Sequence, residues 1–164
     1  MTGGQRTQFE HGMDAAALLR AQLQEIHREL DEGLTAFLRG LAPAPPPQGA
    51  NPLRLYIHAA TVEDVTIQSL LRQVAPVYET DWPGQGPARY STADLAPVRA
   101  YAQQVFATTD AYLAGLGPDA ASQRVDLSRL GQGMPTIAWV VSKFVVLQLA
   151  QICGELTSAV QQHR

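Results

Sequence analysis

Residues 137–153 read IAWVVSKFVVLQLAQIC and form the most apolar stretch of the chain. The stretch contains Lys143, Gln148 and Gln151, and it falls short of a membrane span of about 20 apolar residues. We therefore predict a helix over residues 136–162 that is buried within the protein. Because its apolar residues lie on nearly every side, the helix needs neighbours around most of its circumference, which predicts a central position.

Three further segments carry apolar residues at the spacing of three and four that places a stripe on one face of a helix. Helix one, predicted over residues 14–41, has the stripe Leu19, Leu23, Ile26, Leu30, Leu34, Phe37 and Leu41. Helix two, over 53–74, has Leu53, Tyr56, Ile57, Ala60, Ile67, Leu71 and Val74. Helix three, over 95–116, has Leu95, Val98, Tyr101, Val105, Thr109, Tyr112 and Leu116. The pattern predicts an all-α four-helix bundle with long connections.

The segments between the stripes are rich in proline and glycine, which end helices and favour turns. Asp14 is placed to cap the start of helix one. The proline and glycine content of residues 77–90 predicts a long loop. Loops of this length often cover a site or bind a ligand. We predict one domain over residues 13–162, preceded by a flexible N-terminus at residues 1–12.

Charge and cysteine content narrow the range of partners and compartments. The chain has 12 basic and 15 acidic residues, and its formal charge of −3 is too weak a field to attract nucleic acid or an anionic membrane. Cys153 is the single cysteine, so no disulfide can form within the chain. No charged segment followed by an apolar segment opens the sequence, so we expect no signal peptide. These features predict a cytoplasmic protein that binds neither nucleic acid nor membrane.

Of the four histidines, two lie near the termini and two lie on predicted helices. His27 is one step off the apolar stripe of helix one. His58 lies between Ile57 and Ala60 of the stripe of helix two, so we expect its imidazole to border the bundle interior. An edge histidine of this kind is typically hydrogen-bonded to a neighbour such as Gln148.

The sequence HAATVEDV at residues 58–65 resembles the second-helix signature of the DinB/YfiT-like superfamily. In that family, a later helix has an apolar-Trp-apolar start, two histidines four residues apart, and then Gly-Gln or Gly-Glu. Here IAWVV at residues 137–141 leads to Gly154-Glu155, and the likeness covers residues 13–160. The resemblance implies a four-helix bundle in which three histidines hold a divalent metal with open positions, and some relatives use a low-molecular-weight thiol in transfer or isomerisation.

The chain departs from the family pattern at the metal ligands. Counted back from Gly154, the positions of the two later histidines hold Gln148 and Ile152, leaving His58 as the remnant of a three-histidine site. Isoleucine has no lone pair, and a glutamine amide is a weak ligand for zinc- or nickel-like ions. We therefore expect no cofactor, and a bound zinc or nickel ion is the less favoured outcome.

The predicted function is a DinB-like bundle with a degenerate metal site that binds an unknown small molecule or a partner. The candidate pocket residues are His58, Gln148, Ile152, Trp139 and Glu63. Whether the protein is an enzyme stays open at this point. One alternative is a metal- and thiol-dependent transferase or isomerase, and a second is a structural homodimer.

Other reactive side chains are better explained by ordinary structural roles. Adjacent helical residues point about 100° apart, so we expect at most one of Glu63 and Asp64 to face the interior and both to be solvated. Lys143 could act as a base if buried, although such a lysine more often reaches solvent or pairs with a carboxylate. Cys153 is expected to pack as a small hydrophobe.

Overall fold

The computed structural model describes residues 14–40, 51–81, 95–117 and 119–162, and within these ranges it contains helices and no strand. The α-helices are α1 (Ala15–Gly40), α2 (Pro52–Asp64), α3 (Val77–Asp81), α4 (Leu95–Ala114), α5 (Ile137–Val140) and α6 (Leu147–Gln162). They pack together around one apolar core, which confirms the predicted all-α class. The predicted flexible residues 1–12 lie outside the described ranges. The short helix α3 corrects the prediction of a loop from residue 77 onwards.

Two π-helical segments interrupt the regular winding of the long helices. Residues Val65–Leu71 continue α2, and residues Val141–Val146 join α5 to α6. The two segments contact each other inside the bundle. A π-helical turn holds more residues than an α-helical turn, so each segment shifts the angular position of every later side chain. A constant period of 3.6 residues therefore predicts the wrong face in α6, which follows the segment Val141–Val146.

Polar side chains cap the N-termini of α1 and α2 by accepting hydrogen bonds from backbone amides of the first turn. The carboxylate of Asp14 accepts from the amide of Ala16 at 3.3 Å, as the sequence predicted for the start of α1. Asn51 accepts from the amide of Leu53 at 3.0 Å, and Pro52 occupies the first helical position, where its missing donor costs little.

Side-chain bonds show that α1 and α4 run antiparallel. Arg20 near the start of α1 pairs with Asp110 near the end of α4, at distances of 2.7 and 2.8 Å. Near the other end of α1, Thr35 accepts a 2.7 Å bond from Arg99 at the start of α4.

The helices α1 and α6 run parallel and approach closely at a glycine. Ile26 contacts Cys153, and further along both helices Gly33 lies against Leu156. A Cβ atom at position 33 would come within 2.8 Å of a methyl carbon of Leu156. The absent side chain of Gly33 is therefore what allows the two helices to meet at this distance.

The predicted apolar stripes form most of the core. The largest fully buried apolar side chains are Tyr56, Tyr101, Leu23, Leu30, Leu34, Ile67, Leu113, Leu149, Leu156, Val98 and Val105. Val74, placed on the stripe of helix two, is 48% exposed because the helix ends at Leu71. The predicted central position of the last helix is wrong, because one side of it is exposed, including Leu147 at 50%.

One described helical segment is long and apolar enough to cross a membrane. It spans Ile137–Gln161, and 39% of its most apolar window is buried inside the protein. A core helix passes the same test of length and composition, so the segment by itself does not place the chain in a membrane.

Candidate functional site

The structure separates the predicted pocket residues into exposed and buried sets. His58 and Gln148 are exposed, and Trp139 is 40% exposed. Ile152 is 5% exposed and Glu63 is fully buried. The expectation that His58 borders the interior is wrong, because Ile57 and Ala59 on either side of it take the buried positions of α2.

The expected solvation of Glu63 and Asp64 is also wrong, since both residues are 0% exposed. Helix α2 packs against α1, α4 and α6 and therefore has neighbours over a wide arc. Two adjacent side chains about 100° apart can then both be covered, each by a different helix. Lys143, which lies in the most apolar stretch, is exposed and has no buried role.

The buried carboxylate of Glu63 forms a pair with His27, which the sequence analysis left unassigned. Nε2 of His27 lies 2.7 Å from Oε2 of Glu63, and with Glu63 ionised the imidazole is the donor. The His27 ring stacks on Phe106 of α4, with centroids 3.8 Å apart and planes 10° apart. This geometry fixes the imidazole between α2 and α4.

One oxygen of Glu63 has no partner among the described residues. Oε1 is buried and makes no hydrogen bond, although Oε2 is paired with His27. A buried acceptor left unpaired costs about 1–3 kcal/mol, and more if it is charged. The His27 side chain is 12% exposed and that of Glu63 is 0% exposed, so solvent reaches the pair at the imidazole.

His27 belongs to a polar row on α1, which we define as Arg20, Gln24, His27, Asp31 and Thr35. Consecutive members are three or four residues apart, so they share one face of the helix. Each of them bonds to α2 or α4 through a side chain, and the partners are Asp110, Glu63, Tyr56 and Arg99. This spacing was visible in the sequence, and it is the signal that could have identified His27.

Asp64 links α2 to α3 and α4 from the other side of the helix. Its carboxylate accepts bonds from the amides of Val77 and Tyr78 at 2.9 and 3.2 Å, and from the hydroxyl of Tyr101 at 3.0 Å. It therefore caps the first turn of α3. Burial raises the pKa of Asp64 above its usual range, and the negative charge of Glu63 adds to this rise, while the three donors oppose it.

Cys153 is 7% exposed, and burial, followed by the nearby charge of Glu29, raises its pKa to about 11. The thiolate is the nucleophilic form of cysteine, so a raised pKa keeps this side chain unreactive near neutral pH. The position agrees with a packing role.

Comparisons with protein-family models, with curated proteins and with solved structures find no match to this chain.

The residues at the expected metal position do not fit a transition-metal site. The described residues contain no group of three or more His, Cys, Asp or Glu side chains that could hold an ion together. At the expected position, His58 and Gln148 are exposed and Ile152 offers no donor atom. These residues therefore do not supply the donor set that a zinc- or nickel-like ion needs.

The arrangement of His27 and Glu63 suits hydrogen bonding to a ligand. A carboxylate that binds one ring nitrogen orients the imidazole ring. The unpartnered oxygen of Glu63 can accept a bond from a donor on a bound molecule. The pair thus combines a partly exposed imidazole with a buried acceptor.

Proposed function

We propose that the chain is a DinB/YfiT-like four-helix bundle that binds a small molecule without a transition metal at the family's metal position. The molecule carries a group that donates hydrogen bonds, such as an amine, an amidine or a hydroxyl. The single observation that carries this proposal is the buried, unpartnered Oε1 of Glu63 beside the partly exposed His27. The protein acts in the cytoplasm, as the sequence predicts.

The chemistry of the side chains favours a donor group over an anion. The carboxylate offers only acceptor atoms when ionised, so it can accept a bond from a cationic or neutral donor but cannot bind an anion. A ligand ammonium group would satisfy Oε1 and remove the cost of the unpaired acceptor.

The resemblance to the DinB/YfiT-like superfamily rests on HAATVEDV at residues 58–65 and on the helix from residue 137 to Glu155. The all-helical structure agrees with the fold that the resemblance implies. The replacement of family histidines by Gln148 and Ile152 supports a function that does not use the metal.

Ligand binding is tested with a panel of small amines and their neutral methyl analogues, using calorimetry on the full chain. We expect a subset of the amines to bind and their neutral analogues to fail. Glu63→Gln, which keeps the shape and removes the charge, should abolish this preference. Glu155→Gln is the matched control, because Glu155 is exposed and outside the pair. If the Glu63→Gln protein binds the amines with the same affinity as the unaltered protein, the proposal is refuted.

Metal content is tested separately on protein purified without a polyhistidine tag. We expect zinc and nickel well below one equivalent per chain after purification. A stoichiometric transition metal that is lost on His58→Ala would overturn the proposal and favour the metal-dependent enzyme.

A further inference from the structure

Residues 123–136 form an ordered loop at the start of α5, which we call the 123–136 loop. Its two arms are joined by backbone bonds from the amide of Val125 to the carbonyl of Pro135 at 2.8 Å and from Leu127 to Gly133 at 2.7 Å. Leu127 is 3% exposed and anchors the loop to the protein. The loop is therefore held in one conformation by its own bonds.

The tip of this loop presents apolar side chains to solvent. Leu130 is 58% exposed and Met134 is 47% exposed. Gly131 turns the chain with a φ of 71°, a conformation that favours glycine. Arg129, next to Leu130, is exposed and has no ion pair among the described residues. Met and Arg are enriched in the cores of protein–protein interfaces, and a contact at this tip would cover Leu130 and Met134.

A groove of complementary character lies between α1 and α6. It has a volume of about 400 Å³ and is lined by Glu29, Glu32, Gly33, Ala36, Thr157, Val160 and Gln161. Ala36 and Val160 supply apolar surface, and Gly33 leaves room between the helices. Glu32 already pairs with Arg28, while Glu29 has no ion pair among the described residues.

We propose that two copies of this chain form a dimer in which the 123–136 loop of each copy docks into the α1–α6 groove of the other. Leu130 fills the apolar part of the groove, and Arg129 pairs with the partner's Glu29. The charge complementarity between this loop and this groove favours a second copy as the occupant. This pairing does not depend on the ligand proposed for Glu63.

The 123–136 loop and the α1–α6 groove lie at positions along the bundle that fit a two-fold symmetric dimer. The loop precedes α5, whereas the groove lies about 20 residues further along the same helical segment, which corresponds to about 30 Å. Helix α5, which directly follows the loop, contacts α1, and α1 forms one wall of the groove. Two bundles placed side by side in opposite directions bring each loop to the other's groove, and the contact closes on itself.

The first test is the mass of the full chain in solution, measured by light scattering after size exclusion at micromolar concentrations. We expect a dimer for the unaltered protein and a monomer for Leu130→Asp. Val74→Asp is the matched control, because Val74 is 48% exposed and lies outside the loop and the groove; it should stay dimeric. A monomeric unaltered protein, or a dimeric Leu130→Asp protein, would overturn the proposal.

The second test reverses the charges one at a time. Arg129→Glu and Glu29→Arg should each raise the dimer Kd by about tenfold or more, because each places like charges together. An equal mixture of the two variants should dimerise again, since opposite charges then meet at both contacts. A mixture that stays monomeric would contradict the Arg129–Glu29 pairing. An assembly whose mass keeps rising with protein concentration would exclude the closed dimer and show a head-to-tail contact.

Discussion

Nε2 of His27 and Oε2 of Glu63 lie 2.7 Å apart, and this bond joins α1 to α2 in the interior of the bundle. A buried polar pair has little net effect on stability compared with apolar residues of similar volume, because both groups lose their hydration. Removal of only His27 is costly, since the buried carboxyl group of Glu63 is then left without a partner. The pair is therefore a sensitive probe of the site.

His27→Ala is expected to lower the free energy of unfolding by about 3 kcal/mol, because Glu63 loses its partner and Phe106 loses its stacked ring. The double variant His27→Ala with Glu63→Met should lose less than His27→Ala alone, because no carboxylate remains to be buried. Urea unfolding measures both values. Arg28→Ala, which removes exposed ion pairs, is the control and should change stability by less than about 1 kcal/mol. A double variant less stable than His27→Ala would contradict the assignment.

The raised pKa of Asp64 predicts how stability depends on pH. The pKa of this carboxyl group is higher in the folded state than its ordinary value of 3.8. At a pH between the unfolded and the folded pKa, the folded protein therefore binds more protons than the unfolded chain. Its contribution to stability therefore falls as pH rises through this window. The difference in unfolding free energy between the unaltered protein and Asp64→Asn should be greater at pH 4 than at pH 7. A difference that grows with pH would show that the folded pKa is lowered.

Two glycine substitutions test the close approach of α1 and α6. Alanine is preferred to glycine inside a helix by up to about 1 kcal/mol. At Gly154 nothing lies within 4 Å of the added Cβ, so Gly154→Ala should stabilise the protein. At Gly33 the added Cβ meets Leu156, which is 1% exposed and has little room to move, so Gly33→Ala should destabilise by about 1 kcal/mol. Thermal unfolding measures the stability of both variants. If Gly33→Ala and Gly154→Ala stabilise the protein equally, α1 and α6 can move apart at position 33 without a cost in free energy.

The proposed resemblance to the DinB/YfiT-like superfamily predicts that histidines at positions 148 and 152 create a metal site. Gln148→His with Ile152→His should bind zinc, and His58→Ala in the same chain should weaken that binding. The control is Gln151→His with Glu155→His, which places two histidines at the same spacing on exposed positions of α6. Calorimetric titration with zinc compares them. Equal affinities for the two double variants would show that the last helix is aligned incorrectly with the family.

The sequence did not predict that His58 is exposed or that His27 is partly buried against Phe106 and Glu63. The apolar stripes predicted the positions of the long helices, because periodicity within one helix follows from its own geometry. The period does not show which neighbouring helix covers a polar side chain. Glu63 and Asp64 were assigned to the surface for this reason, although α1 and α4 bury them from two sides.

The sequence by itself determined the all-α class, the apolar faces of α1, α2 and α4, and the cap at Asp14, since these depend on residues close together in the chain. The tertiary structure decided that His27 rather than His58 lies against the core, because burial depends on contacts between helices distant in sequence. It also decided which side of the last helix is exposed, since the π-helical segment Val141–Val146 rotates the side chains that follow.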